Sequence, residues 1–497
     1  MKIGELTDFL LKHAEKDPVS FHMPGHKGAA LYKELGYDDF LQKIMDCDVT
    51  EIPGADNLFQ AESVLKAVMD RYAGLYGVRR SYILINGTSC GIIASILATV
   101  TRGGKLILAR NCHKSVFNAL SLGAINPVYA YTESIPEHNI AGPVSAGEIE
   151  RLLDEHPDAA AVILPSPNYY GICSDIEKIS EAVHRRGKIL IVDQAHGAHL
   201  KFFSKFAPDI EIDGHKLPKP AEEQGADIVI NSTHKTLGSF TQSAVLNVVS
   251  DRIDCELLED RLQALESSSP SYLLMASLDI NADLLEKHGK EKINTWAEEL
   301  QGFYCRAKNI PGLKMIRPDG AFDFTKIDLD MSIYGLSGAA LEGLLMKENI
   351  FPELHAGKIL MLMTGIGNTS NHYARLLDAL HRIAERSIRE SADPEGCPAL
   401  PSDSGYVKQE AAPDLKDAPD TSKPLELCPV PEKSRKIKLE EAAGLVCGSA
   451  IIPYPPGIPI VCPGERLTEE MLIYIKKLRL AGEKVIGVNE NGEITAG

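Results

Sequence analysis

The stretch "ADIVINSTHKTLGSFTQSAVLNVV", Ala226 to Val249, decides how the rest of the chain is read. "ADIVI", introduced by Gly225, is a short apolar, β-branched run of the kind that forms a buried strand. A polar turn follows, then a second apolar run, "SAVLNVV". The turn carries Ser232, Thr233, His234 and Lys235 in a row. A lysine at the end of a buried strand is not placed like an ordinary surface lysine.

Upstream, the same kind of run recurs as "SYILI" (81–85), "KLILAR" (105–110), "NPVYA" (126–130), "AAVILP" (160–165) and "KILIVD" (188–193). Amphipathic segments such as "SDIEKISEAVHRRG" (174–187), with a glycine suited to a helix C-cap, separate most of them. Continuous apolar strands alternating with helices predict an α/β fold around a mostly parallel seven-stranded sheet buried on both faces. Ligands of such sheets sit at the carboxyl ends of the strands. Five of those ends carry chemistry: Asn86-Gly87-Thr88-Ser89, Asn111-Cys112-His113-Lys114, Ser166-Pro167-Asn168-Tyr169, Asp193-Gln194-Ala195-His196 and Asn231 to Lys235.

A lysine partly removed from water has a depressed pKa and forms Schiff bases. Pyridoxal 5′-phosphate (PLP) enzymes use that amine, together with a carboxylate that keeps the pyridine nitrogen protonated. Asp193 suits that task, although an aspartate there is also a natural helix N-cap. Gly87, Thr88 and Ser89, opening an apolar helix, suit a phosphate; ordinary N-capping is the alternative. Ser232 and His234 can add phosphate contacts, and His113 can lie flat on the ring. No P-loop, no G-x-G-x-x-G after the first strand and no H-E-x-x-H occurs. A PLP site is the reading that uses all five ends, and no metal is expected.

A net charge of −17 over 497 residues argues against sequence-independent binding to nucleic acid or anionic membranes, and is compatible with cationic substrates. The ten cysteines include no Cys-x-x-Cys pair, which points to a reducing cytosol. The N-terminus reads as an amphipathic helix with acids throughout rather than a signal peptide, and "CGIIASILATV" is too short to span a bilayer. A cytoplasmic protein is expected.

The expected organisation is an N-terminal segment (1–60), a PLP-binding major domain (61–300), a small α+β domain (301–388), a linker (389–433) and a C-terminal α+β domain (434–497). The stretch from Ser267 to Asn309 reads as long helix. The linker is rich in Pro, Asp, Ser and Lys without apolar periodicity.

"FHMPGHKG" (21–28), "NGTS" (86–89), "RNCHKS" (110–115), "VDQAHGAH" (192–199), "STHK" (232–235) and "YPPGIPIVCPGE" (454–465) together resemble the ornithine/lysine/arginine decarboxylases of the PLP fold-type I superfamily. The length resembles the short bacterial form, in which arginine decarboxylases occur. The resemblance implies that Lys235 holds PLP and Asp193 pairs with the pyridine nitrogen. It further implies phosphate contacts from Thr88, Ser89 and Ser232, with His113 stacked on the ring. His196 is then expected at the cofactor hydroxyl, and His234 near the phosphate or substrate carboxylate. His26 and Lys27 are expected near a cofactor at the interface of a homodimer. Glu465, on a proline-stiffened segment, is the acid expected to meet the substrate's distal cation, its alternative being a surface glutamate. Gln194 departs from the glutamate of many short-form relatives and removes a charge near the site.

The implied reaction is decarboxylation of arginine, lysine or ornithine, with Lys235 or His234 returning a proton to Cα. Rival readings are an aminotransferase, for which Arg317 would have to bind the substrate carboxylate, a β-eliminating lyase, or a PLP-binding protein without catalysis.

Overall fold

A computed structural model describes residues 4–135, 140–392, 428, 430, 431, 433–453, 457–480 and 484–497. Most of the expected linker, and Tyr454 to Pro456 of the proline-rich motif, lie outside the described residues.

All seven expected strands form. In chain order they are β1 (Arg80–Leu84), β2 (Lys105–Ala109), β3 (Asn126–Ala130), β4 (Ala159–Pro165), β5 (Ile189–Asp193), β6 (Ile228–Asn231) and β7 (Ala244–Val248). They join one sheet in the order β1-β7-β6-β5-β4-β2-β3. The pairs from β6 to β3 are parallel, whereas β7 runs antiparallel to both β6 and β1. Because β1 and β6 are each antiparallel to β7, they run the same way. Six strands therefore end at one edge of the sheet.

The apolar runs are continuous because helices cover both faces: Leu106 to Leu108, Leu190 to Val192 and Ile228 to Ile230 are fully buried. The covering helices start where the sequence offers caps. Ser145 accepts from the Glu148 amide, and Asp175 accepts from the Lys178 amide.

The segment expected as long helix forms two, Tyr272–Lys287 and Gly289–Ala307, with His288 at the joint. Apolar periodicity runs through the joint and hides it. Gly289 lies there because a Cβ would meet the Phe206 ring at 2.8 Å. The second helix and helix Ser370–Ala392 accompany a smaller antiparallel sheet of Lys314–Met315, Lys326–Asp330, Ile359–Met363 and Leu354–Ala356. At the other end, Arg435–Lys438 pairs with Glu493–Ala496 around a separate core that includes Ile437, Met471, Ile475 and Ile494. Among the described residues, no helix is long and apolar enough to cross a membrane.

The N-terminal segment ties these parts together. Val19–Ser20 pairs in parallel with Ile350–Phe351. The chain then runs onto the lysine turn, where the Gly25 amide donates to the His234 carbonyl at 2.7 Å. Only glycine fits at position 25: a Cβ there would lie 2.5 Å from the Leu237 carbonyl oxygen.

Candidate active site

The five strand ends surround a cavity of about 480 Å³. Lys235 projects into it from a single helical turn, Thr233–Thr236, directly after β6. Its amine lies 2.9 Å from His196 Nε2 and 5.9 Å from the centre of the Tyr169 ring. Burial brings the lysine down to about 8; Asp193 and Glu353 pull the other way, and Lys326 adds to the fall. A useful fraction of the amine is therefore neutral, hence nucleophilic, near neutral pH.

Asp193 closes β5 beside Ile230 and is buried. Its Oδ1 accepts from the Ala195 amide at 3.1 Å, the only hydrogen bond found for this carboxylate among the described residues. Burial raises its pKa, opposed by Lys235. A carboxylate this poorly solvated is suited to a cationic N–H partner.

Elsewhere in the lining, Gly87 opens helix Gly87–Thr99 with φ of 72°, a left-handed conformation that suits glycine. Thr88 and Ser89 follow in the first turn, and the Ser232 hydroxyl donates to Thr88 Oγ1 at 3.2 Å, so hydroxyls from two strand ends converge. Beneath this loop, Glu266 accepts from the Ile85 and Asn86 amides, and burial raises its carboxyl to about 7.

The three histidines expected from the sequence also line it. His113 caps its helix, with Nδ1 2.9 Å from Ser115 Oγ, and burial with the nearby Lys235 and Lys114 lowers it to about 3. His234 donates from Nδ1 to the Ser243 carbonyl at 2.8 Å, which leaves Nε2 without its proton; burial lowers it to about 4. His196 lies 4.3 Å from the Tyr169 ring, centre to centre, and its buried Nδ1 has no hydrogen-bond partner. Lys326, from the small sheet, braces this strand end by donating to the His196 carbonyl at 3.0 Å and to Asp323 at 3.3 Å.

Taken together, an amine, a buried carboxylate, a hydroxyl-lined helix start and an unsatisfied buried imidazole nitrogen in one cavity fit a planar phosphorylated pyridine aldehyde. Gly87, Thr88, Ser89, His113, Asp193, His196, Ser232, His234 and Lys235 are all among the lining residues.

Other expected residues are placed differently. Glu465 does not line the cavity; it is fully buried, with Oε2 3.1 Å from Arg110 Nη2 and accepting from the Cys462 amide at 2.8 Å. Its charge is already paired, so it is neither a surface acid nor a free partner for a substrate cation. His26 packs against Tyr32 and Phe240 outside the cavity of its own chain. Lys27 donates to the His22 and Met363 carbonyls, and burial lowers it to about 7. Arg317 pairs with Asp213 and lies over the Tyr304 ring, and among the described residues no arginine lines the cavity. Gln194 turns away: it donates to Glu222 at 2.9 Å and Asn231 at 3.0 Å and accepts from the Ala221 amide. A glutamate there would put a second carboxylate against Glu222, so the amide has a packing reason.

Sequence reasoning missed His22, Met23 and Ile458, which do line the cavity. His22 and Met23 lie in the quoted "FHMPGHKG", but the local pattern does not say which side chains of an irregular loop turn inward. It also missed Glu353, whose Oε2 lies 2.5 Å from His22 Nδ1 and accepts from the Met23 amide at 3.1 Å.

Residues 5–320 match the model of the Orn/Lys/Arg decarboxylase major domain, and residues 425–492 match that of the family's C-terminal domain. YaaO, an uncharacterized protein of Bacillus subtilis (strain 168), is 32% identical over 483 residues, spanning 94% of this chain and 93% of its own. The arginine decarboxylase of the same organism is 30% identical over 505 residues, spanning 97% of this chain and 95% of its own. Among solved structures, lysine decarboxylase A from Pseudomonas aeruginosa aligns with a TM-score of 0.72 at 19% identity, over 98% of this chain and 79% of that one, a likeness of fold. The major-domain match covers well over half of the chain, and full-length relatives stand at this identity: the protein belongs to the Orn/Lys/Arg decarboxylase family.

Proposed function

We propose that the protein is a PLP-dependent decarboxylase that converts a basic L-amino acid, arginine before lysine or ornithine, to its amine and carbon dioxide. The observation that carries this reading is the convergence of Lys235, Asp193 and the Gly87–Ser89 helix start on one cavity. Lys235 would hold the cofactor and Asp193 its ring nitrogen. Thr88, Ser89 and Ser232, with the Gly87 backbone, would hold the phosphate. His113 would cover the ring, and His196 would stand by its hydroxyl. When bound, the cofactor supplies an electron sink for the pair left behind as carbon dioxide departs.

The chain's own groups divide the remaining work. Met23, Pro167 and Ile458 give the cavity apolar surface, which favours loss of a carboxylate charge. Of the two groups able to return a proton to Cα, Lys235 is the better donor. At about 8 its amine carries a proton to give, whereas His234, at about 4 with Nε2 bare, does not. Glu353 does not line the cavity; by holding His22 and the Met23 amide it orders two residues that do. A net charge of −17 favours the approach of a cationic substrate. We read the working form as a cytoplasmic homodimer in which the His26 loop of one copy stands toward the site of the other.

The test is release of labelled carbon dioxide from carboxyl-labelled arginine, lysine and ornithine, each with the PLP-loaded protein and with Lys235→Ala. Release from one of them that vanishes in the variant supports the proposal and names the substrate. No release from any, with the lysine-bound cofactor absorbance intact, overturns it.

A further inference from the structure

Arg110 directly follows β2, and its amide is fixed to the Ala130 carbonyl at 2.9 Å. Its side chain is buried, with the guanidinium 5.8 and 5.5 Å from the centres of the Phe117 and Tyr129 rings. From there it reaches into the C-terminal unit. Nη1 donates to the Pro459 carbonyl at 2.8 Å, and Nη2 donates to the Ile460 carbonyl at 2.9 Å and to Glu465 Oε2 at 3.1 Å. Beside this contact, the Lys114 amide donates to the Gly457 carbonyl at 3.4 Å.

Both ends of the contact border the cavity. Asn111 and His113, just after Arg110, line it from the major domain; Ile458, just before Pro459, lines it from the C-terminal unit. We propose that the Arg110–Glu465 pair is a latch that sets residues 457–460 as one wall of the amino-acid cavity. Arg110 and Glu465 are then positioning residues, and Ile458 is the group that meets the substrate. The inference rests on the decarboxylase reading of that cavity.

The chemistry favours a latch over simple packing. Two of the three bonds go to backbone carbonyls, so they fix where the loop runs irrespective of its side chains. The planar guanidinium offers several donors at fixed angles; a lysine ammonium cannot reproduce that fork. Glu465 in turn ties the guanidinium to the Cys462 amide, so loop and turn move as one piece. A buried charge left without its partner, such as the guanidinium without its carboxylate, is strongly destabilising. Opening the latch therefore displaces Ile458 and wets the side of the cavity beside His113.

Cys462, 1% exposed within this contact, reports on the latch directly. Holoenzymes of wild type, R110K, E465Q and I458A are compared by kcat and KM, and by the alkylation rate of Cys462 with iodoacetamide, mapped by peptide mass. In R110K and E465Q, alkylation should quicken about tenfold, through easier local opening. KM should rise about tenfold, with a smaller change in kcat. I458A should raise KM while Cys462 stays slow. Faster alkylation with KM within about twofold of wild type overturns the wall; unchanged alkylation in both latch variants overturns the latch. If R110K does not fold, the isosteric E465Q carries the test alone. If wild type decarboxylates no basic amino acid, the functional reading fails, while the Cys462 rates still decide the latch.

Discussion

Replacing Gly25 with alanine tests how the lysine turn is held. The added Cβ would lie 2.5 Å from both the Thr236 carbonyl carbon and the Leu237 carbonyl oxygen, and 2.7 Å from the Leu237 amide nitrogen. Carbon contacts settle near 3.5–4.0 Å, so the two backbones must part by about 1 Å. Neither side can yield freely. The turn is pinned by the Gly25 amide on the His234 carbonyl at 2.7 Å and by the Ile366 amide on the Thr236 carbonyl at 2.9 Å. Behind Gly25, the Gly367 amide donates to its carbonyl at 3.0 Å, and position 365 is so close that a Cβ there would lie 2.8 Å from the Gly25 Cα. Overpacking of about 1–3 kcal/mol and one strained or lost hydrogen bond of about 1 kcal/mol give a destabilisation of about 2–4 kcal/mol. Since the collision falls on the two residues after Lys235, cofactor retention should weaken with it. The assay is urea and thermal unfolding followed by circular dichroism and by cofactor absorbance. Gly147→Ala is the control: its helix position is open, with nothing within 4 Å of a Cβ. A Gly25→Ala protein within about 0.5 kcal/mol of wild type, a change typical of inert surface sites, would refute the reasoning.

The cofactor-free protein should combine with PLP at a rate that climbs about tenfold per pH unit below pH 8 and flattens above it, because only the neutral Lys235 amine attacks; stopped-flow absorbance reads this, and a climb continuing into the ordinary lysine range would contradict it. Asp193→Asn should lower kcat roughly 10²–10³-fold with the lysine-bound absorbance retained, the scale of losing a preorganised electrostatic partner; an unchanged kcat would remove Asp193 from its role. Glu266 holds its proton to about 7 in the folded chain against 4.5 for a free glutamate, so between those values the native state binds more protons than the unfolded one and stability falls as pH rises. Glu266→Gln should flatten the urea midpoint against pH across that window, and parallel profiles for the two proteins would count against the assignment.

The sheet was legible because each strand is a continuous apolar run, and the strand-end residues because a parallel sheet leaves their positions little freedom. Lys235, Asp193 and Thr88 lie far apart in sequence, yet one topological rule brings them to one edge. That rule says nothing about pairings between unlike units. Arg110 looked like the tail of "KLILAR", and Glu465, 355 residues later, looked like an acid on a proline-rich turn. Neither local pattern carries the other's address. The joint at His288 was hidden for a different reason, since helical periodicity continues through it. Gln194 read as a missing charge because its partner Glu222 is brought close only by the fold.

The chain that carries the lysine returns to the sheet: β7 lies against β6 from Ile228↔Val248 to Asn231↔Val245, and the pair is wedged between β5 and β1. Lys235 therefore hangs from the tip of a ribbon stitched into the middle of the sheet. Its Cα has nowhere to go, and the amine can travel only by rotation about the bonds of its own side chain. With the proposed role, each release of the cofactor would swing the amine on a short arm from a fixed pivot and return it to the same spot, and resetting would require no loop to refold.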